Sequence, residues 1–215
     1  MTTCAIIPVL HEPDIVRFID SVALYVDDVI TIVDERTSTQ TAMDCEETHV
    51  RAPGGLAQAY VSGYREALKR GHSIIIEIDA GGTHDPNQIP IFINAIRYGF
   101  DCAYGSRFCV GGEYKDKWKV GRLISRLGGV LSCAILGIRS TDATSGYQAF
   151  TSKSVECFYN GIKSTGRFIQ TEIKYRCKKL KAMEIPISYE RRGFNLFSGE
   201  VAKSLWTMTC CFLFG

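Results

Sequence analysis

The strongest constraint on this chain is an alternation in its first hundred residues. Short apolar runs are separated by longer stretches with helical spacing. Ala5–Val9 and Val29–Val33 read as buried strands, and so does Ser73–Ile78, whose one charged residue is Glu77; Asp101–Tyr104 reads as a fourth. Between them, Glu12–Tyr25 carries Ile15, Ile19 and Val22 at helical intervals. Leu56–Lys69 places Leu56, Tyr60, Gly63 and Ala67 on one face and is stopped by Gly71, and Pro90–Tyr98 is also helical. A strand that is apolar on both faces and is followed by a helix belongs in a parallel sheet covered on both sides.

The remainder is less regular. Gly121–Leu136 reads as a helix, Asp142–Phe150 as a turn leading into a short strand, and Ile169–Leu180 as a helix. Met183–Tyr189 contains Pro186, which cannot donate to a ladder, so an edge strand is expected. Gly193–Gly199 reads as a loop. The last segment reads as a helix with Val201, Leu205, Met208 and Phe212 on one stripe, widened by Ala202, Trp206 and Leu213. That stripe suits either packing on the domain or an interfacial position with Trp206, Phe212 and Phe214 among lipid headgroups.

A chain of 215 residues suits one domain with a full core. A formal charge of +2 without a dense Lys/Arg run argues against a nucleic-acid partner. The nine cysteines show neither C-x-x-C nor Cys/His zinc spacing, so reduced, buried thiols in a reducing compartment are expected. Met1–Thr3 lead straight into a strand without a signal peptide, and no apolar run is long enough to span a bilayer. The expectation is a cytoplasmic protein, with peripheral membrane contact through the C-terminal helix left open.

In an open parallel sheet, ligands bind beyond the carboxyl ends of the strands. Three polar clusters fall there: Pro8, His11 and Glu12; Asp34, Glu35 and Arg36; and Asp79–Pro86, reading DAGGTHDP. Carboxylates at such ends suit a base or ribose hydroxyl and a hard cation. Mg²⁺ or Mn²⁺ would bridge protein oxygens to a diphosphate and take up charge on the departing nucleotide.

The run GGLAQAYVSGYREALKRGHSIIIEIDAGGTHDP (Gly54–Pro86) resembles the polyprenol-phosphate and dolichol-phosphate mannosyltransferases of glycosyltransferase family 2. So do IIPVLHE (Ile6–Glu12), GSRF (Gly105–Phe108), SRLGG (Ser125–Gly129), DATSGYQAF (Asp142–Phe150) and EIPISYERR (Glu184–Arg192), in the family's order. The resemblance implies a GT-A fold: an α/β, Rossmann-like mixed sheet, mostly parallel, with helices on both faces. It also implies one domain over 1–215, with a nucleotide-sugar half to about residue 107 and an acceptor half beyond it. The implied activity is inverting transfer of a hexose from a nucleoside-diphosphate sugar, GDP-mannose-like, to a polyprenyl phosphate.

By the same resemblance, Pro8, Glu12 and Asp34 border the nucleotide base and ribose, and Asp79, Ala80 and Gly81 meet the diphosphate. Asp79, assisted by Thr83, takes Mg²⁺ or Mn²⁺. Arg107 and Arg122 face phosphates, where a guanidinium binds bidentately. Asp142 is the candidate base for the acceptor, although a phosphate monoester already ionised at neutral pH needs little help.

The chain departs from the family on the donor side. Asp34-Glu35-Arg36-Thr37 replaces D-D-G-S, and Asp79-Ala80-Gly81 replaces D-A-D, which removes the second metal carboxylate. Gly193-Phe194-Asn195-Leu196 replaces G-x-S-K. Thr83, His84, Asp85 or Glu77 could substitute in part, depending for Glu77 on the strand's alternation. Two further outcomes therefore stand open: a divergent enzyme acting on a soluble small-molecule acceptor, and a catalytically silent nucleotide-sugar binder. Plainer roles stand beside the functional ones. Asp79 could cap a strand-end turn, Asp142 could organise its own turn, His84 could be structural, and Gly54-Gly55 could simply admit the following helix.

Overall fold

The computed structural model describes residues 1–9, 14–34, 49–52, 55–115, 119–166 and 168–190. Its architecture follows from the apolar strands. In β1 (Thr3–Val9), Cys4 and Ile6 enter one core layer while Ala5, Ile7 and Val9 enter the opposite one. Both faces of the strand are dry, so both must be covered. One layer is closed by α1 (Ile15–Ala23) and α3 (Ile89–Arg97), the other by α2 (Leu56–Lys69), α5 (Ser152–Phe158) and α6 (Ile169–Arg176).

The main sheet among the described residues has seven strands. The others are β2 (Asp28–Asp34), β3 (His49–Ala52), β4 (Ile74–Glu77), β5 (Cys102–Ser106), β7 (Gln148–Thr151) and β8 (Ala182–Pro186), and the order is β3-β2-β1-β4-β7-β5-β8. The β1–β2, β1–β4, β2–β3 and β5–β8 pairs are parallel. β7 runs antiparallel to both β4 and β5, pairing Glu77 with Gln148 and Tyr104 with Gln148. The sheet is therefore mixed and mostly parallel, as expected.

Close approach tightens one contact. A Cβ added at Gly63 would collide with Ile6 Cγ2, so glycine lets α2 lie directly on β1. Gly55, at φ 102, turns the chain into α2. This is the turning role read at Gly55, while Gly54 lies outside the described residues.

Two expectations change in detail. Met183–Tyr189 is not one strand. β8 ends at Pro186, and Ser188–Glu190 (β9) leaves to pair with β6 (Glu113–Lys115) in a separate two-stranded sheet. β8 is the edge strand of the main sheet, and at Pro186 the polar backbone faces away from β5: its carbonyl accepts from Gln88 Nε2 at 3.2 Å, while the next bond to β5 is donated by the Ile187 amide to the Ser106 carbonyl at 3.1 Å. The helix read to Leu180 ends at Arg176, where a turn at Cys177–Leu180 leads towards β8. The long helix α4 spans Lys119–Leu136. Cys4, Cys102, Cys133 and Cys177 are buried and unbridged, as read from their spacing, whereas Cys157 is exposed. No helix among the described residues is long and apolar enough to cross a membrane.

Candidate active site

The carboxyl ends of the parallel neighbours β1, β2 and β4 lie side by side, which is where an open parallel sheet places its ligand crevice. β4 feeds Ile78 and Asp79 into the 80–85 turn, which Gly82 rounds at φ 62. The Asp79 side chain is 40% exposed, and its Oδ1 accepts a 2.7 Å hydrogen bond from the Tyr60 hydroxyl. Tyr60 is buried on α2, so helix packing aims the carboxylate. Burial, and after it the Asp79 charge, pushes the Tyr60 phenol well above its ordinary value, and Tyr60 therefore acts as a donor.

Gly146 passes close beside the same carboxylate. A Cβ there would lie 3.1 Å from Asp79 Oδ2 and 3.2 Å from Gln170 Nε2. The imidazole of His84 is buried between Tyr147 and Tyr189, with Nε2 3.7 Å from Asp79 Oδ2. Asp85 caps the Pro86–Gln88 turn through a 3.0 Å bond from the Asn87 amide.

Beneath Asp79 lies a layer of buried polar groups. Gln148 Nε2 donates to Glu77 Oε2 at 3.3 Å and also to Gln170 Oε1. Lys174 Nζ donates to the carbonyl of Ser145 at 2.9 Å and to that of Ala143 at 3.4 Å. Burial pushes the Glu77 carboxyl up to about 8, against the pull of Lys174. Burial likewise pushes the Lys174 ammonium down to about 8, against Asp142 and Glu77. Glu77 is thus enclosed under the crevice and is unable to serve as the replacement metal oxygen. Among the described residues, no group of three or more His, Cys, Asp or Glu side chains could hold a metal ion.

Arg107 and Asp142 meet each other. Arg107 Nε and Nη2 donate to Asp142 Oδ2 at 2.6 Å and Oδ1 at 2.7 Å, and the Arg107 amide adds a third bond at 3.1 Å. Nη2 also reaches Thr144 Oγ1 at 2.7 Å. The guanidinium carbon lies 5.1, 5.2 and 5.1 Å from the ring centroids of Phe108, Tyr114 and Tyr189. Both side chains are buried. Burial alone would raise the Asp142 carboxyl, but the bonds and charge of Arg107 overcome it and hold the group below the ordinary carboxylate range. The neighbouring loop is fastened to β8, where Glu184 Oε1 accepts from the Thr141 amide at 2.6 Å and from Ser140 Oγ at 2.8 Å.

The structure therefore gathers Asp79, Ala80, Gly81 and Thr83 into one turn, with Pro8 and Asp34 at the adjacent ends of β1 and β2. Ala80 is buried in the core layer, and Gly81 has nothing within 4 Å of an added Cβ. His11, Glu12, Glu35, Arg36, Gly193–Gly199 and the C-terminal segment lie outside the described residues, as do the side chains of Asp34 and Arg122. Sequence reasoning missed the roles of Tyr60, Gln148, Gln170, Lys174 and Gly146. Their signals were weak: Tyr60 and Gln148 stand beside apolar residues, Gln170 and Lys174 lie in a mostly polar helix that reads as a surface one, and Gly146 is a glycine in the TSGYQAF run.

No family model matches the chain. Curated relatives do. The undecaprenyl-phosphate mannosyltransferase of Micrococcus luteus is 33% identical over 159 residues, covering 71% of this chain and 65% of that protein. The polyprenol monophosphomannose synthase of Mycolicibacterium smegmatis is 31% identical over 158 residues, covering 71% and 59%. The chain thus spans less than two thirds of the length of these relatives. Among solved structures, glucosyl-3-phosphoglycerate synthase of Mycobacterium tuberculosis in complex with UDP superposes with a TM-score of 0.72 at 15% identity, covering 99% of this chain and 79% of that one. The same enzyme has also been solved with Mn²⁺, UDP and phosphoglyceric acid, and superposes with a TM-score of 0.70.

Proposed function

The chain is a sequence relative of the polyprenyl-phosphate mannosyltransferases and carries the GT-A glycosyltransferase fold, and from that premise we propose that it transfers a hexose from a nucleoside-diphosphate sugar to a polyprenyl-phosphate acceptor with inversion. The kinship favours mannose as the hexose, and a GDP-mannose-like donor is what the motif resemblance implies. The observation that carries the reading is the half-exposed Asp79 carboxylate, aimed by buried Tyr60 into the crevice where GT-A proteins take their donors.

The described residues fit a divalent cation only through Asp79, with Thr83 in the same turn, so most of the coordination falls to diphosphate oxygens and water. When bound, such a cation neutralises charge on the leaving diphosphate. Pro8, Glu12 and Asp34 are assigned to the base and ribose, and Ala80 and Gly81 to the backbone beside the diphosphate. Gly146 leaves room for the carboxylate that a side chain would displace.

The acceptor's phosphate is already an anion, so attack on the anomeric carbon requires orientation more than proton removal. We assign Arg122 to that phosphate. Asp142, ionised and bound by Arg107, is poorly suited to accept a proton. Arg107 and Asp142 are positioning residues that hold the 141–147 loop, and with it Gly146, against Asp79.

The test offers purified protein a panel of nucleoside-diphosphate sugars with Mg²⁺ or Mn²⁺ and a detergent-solubilised polyprenyl phosphate. Transfer to the lipid phosphate is expected. Turnover only with a soluble acceptor would replace the acceptor class, and donor binding without turnover would leave a binding protein.

A further inference from the structure

Helix α6 is polar where a domain core would place an apolar helix. Its first six residues, Ile169–Lys174, are all buried, yet only Ile169 and Ile173 are apolar. The other four, Gln170, Thr171, Glu172 and Lys174, are at most 4% exposed. Burying such groups is unfavourable unless each finds partners, so the helix has to be understood from the partners it takes.

Those partners belong to two loops. Glu172 accepts from the amides of Lys163 and Ser164 at 2.9 and 2.8 Å, and Arg176, one turn on, donates to the same carboxylate at 2.7 Å. On the other side, Thr171 Oγ1 donates to the carbonyl of Ala143 at 3.0 Å. Lys174 Nζ donates to the carbonyl of Ser145 at 2.9 Å and to that of Ala143 at 3.4 Å. The 143–146 backbone is tied at its two ends by other elements. Arg107 holds Asp142 before it, and the Gly105 amide donates to the Tyr147 carbonyl after it at 2.8 Å. Between those ends, the carbonyls of Ala143 and Ser145 rest on α6.

The place of Ser145 in the chain gives this support a consequence. The next residue is Gly146, where a Cβ would lie 3.1 Å from Asp79 Oδ2, so any shift of Ser145 moves the backbone against that carboxylate. Lys174 is fully buried, with its ammonium nitrogen 5.4 Å from the centroid of the Tyr104 ring. A cation is a poor choice for packing alone, since an apolar side chain of the same length fills the space without the penalty of burying charge. We propose that Lys174 is a positioning residue for the donor. From inside the core it holds the carbonyls of Ser145 and Ala143, and so fixes the spacing between Gly146 and Asp79 that the diphosphate needs. The proposal deepens the donor assignment above and rests on it for its kinetic readout, whereas the state of the loop can be measured without any ligand.

The experiment follows amide hydrogen exchange of the full chain in the wild type, in Lys174→Met, which keeps the reach of the side chain and removes its donors, and in Thr171→Val, which removes one bond at Ala143. Lys174→Met should speed exchange in peptides covering 141–147 about tenfold and leave those from β1 and α2 unchanged, and Thr171→Val should have about a threefold effect at the same place. The donor KM of Lys174→Met should rise about tenfold with kcat changed by no more than about twofold. Joined to Gly146→Ala, the rise should fall well short of the product of the two separate effects, because both act on one spacing. Unchanged exchange at 141–147 overturns the proposal. So does exchange raised equally throughout the chain, which marks a merely structural lysine, or KM effects that simply multiply. If Lys174→Met does not fold, Thr171→Val carries the same comparisons. A wild type that transfers to no acceptor would sink the activity instead, and the exchange result would still decide the role of Lys174.

Discussion

The Arg107–Asp142 pair and the Asp79 turn both carry charged side chains that the sequence marks as functional, yet their states are opposite. The pair is buried, and each group answers the other: three hydrogen bonds under 3.2 Å join them, and three aromatic rings enclose the guanidinium. Asp79 is half in water, with the Tyr60 hydroxyl on Oδ1 and His84 Nε2 3.7 Å from Oδ2, and Gly81, two residues on, has empty space beside it. A charge buried among its partners is closed to a ligand, whereas a partly exposed one is open to it. On the proposed reading the first region is architecture and the second the place for chemistry.

The largest expected effect would break that contrast from the buried side. Arg107→Ala leaves Asp142 buried without its partner and should cost about 3–5 kcal/mol in urea unfolding. The pH dependence carries a sign. Asp142 is held below its ordinary value, so its contribution is present above the unfolded carboxylate range and is lost as pH falls through the lowered folded value. Asp142→Asn should remove that part of the acid-side slope. A variant of either residue as stable as the wild type would show the pair to be dispensable.

From the open side, Asp79→Ala should change stability by no more than about 0.5–1 kcal/mol while lowering transfer by about 10²–10³-fold. Full activity in that protein would remove the site assignment. Gly146→Ala sharpens the comparison, because its methyl would press on Asp79 Oδ2 and Gln170. An increase in donor KM of about tenfold with little change in melting temperature is expected. The smallest effect runs in the favourable direction. Position 81 has room for a side chain, so Gly81→Asp should tighten Mn²⁺ binding by about tenfold, measured by calorimetry without any donor. Unchanged affinity would mean that the cation does not sit at this turn.

Much of the fold was legible because strands buried on both faces leave an unmistakable apolar signature. β1, β2 and β4 were read close to their observed limits, and α2 was read as Leu56–Lys69. The short elements were not: His49–Ala52, Glu113–Lys115 and Ser152–Phe158 are too brief for periodicity to register. For Ser152–Phe158 a local cue existed, since Thr151 accepts a hydrogen bond from the Ser154 amide as an N-cap.

The sequence by itself determined the layered α/β architecture, the crevice at the carboxyl ends of the strands and the loss of the second acid at Gly81. Only the tertiary structure decided that Arg107 belongs to Asp142, that Glu77 is sealed beneath the crevice beside Gln148, and that Gly146 stands against Asp79. The reason is physical. Hydrophobic period is a local property that neighbours in the chain already express, whereas the state of a charge depends on groups tens of residues away that folding alone brings within hydrogen-bonding distance.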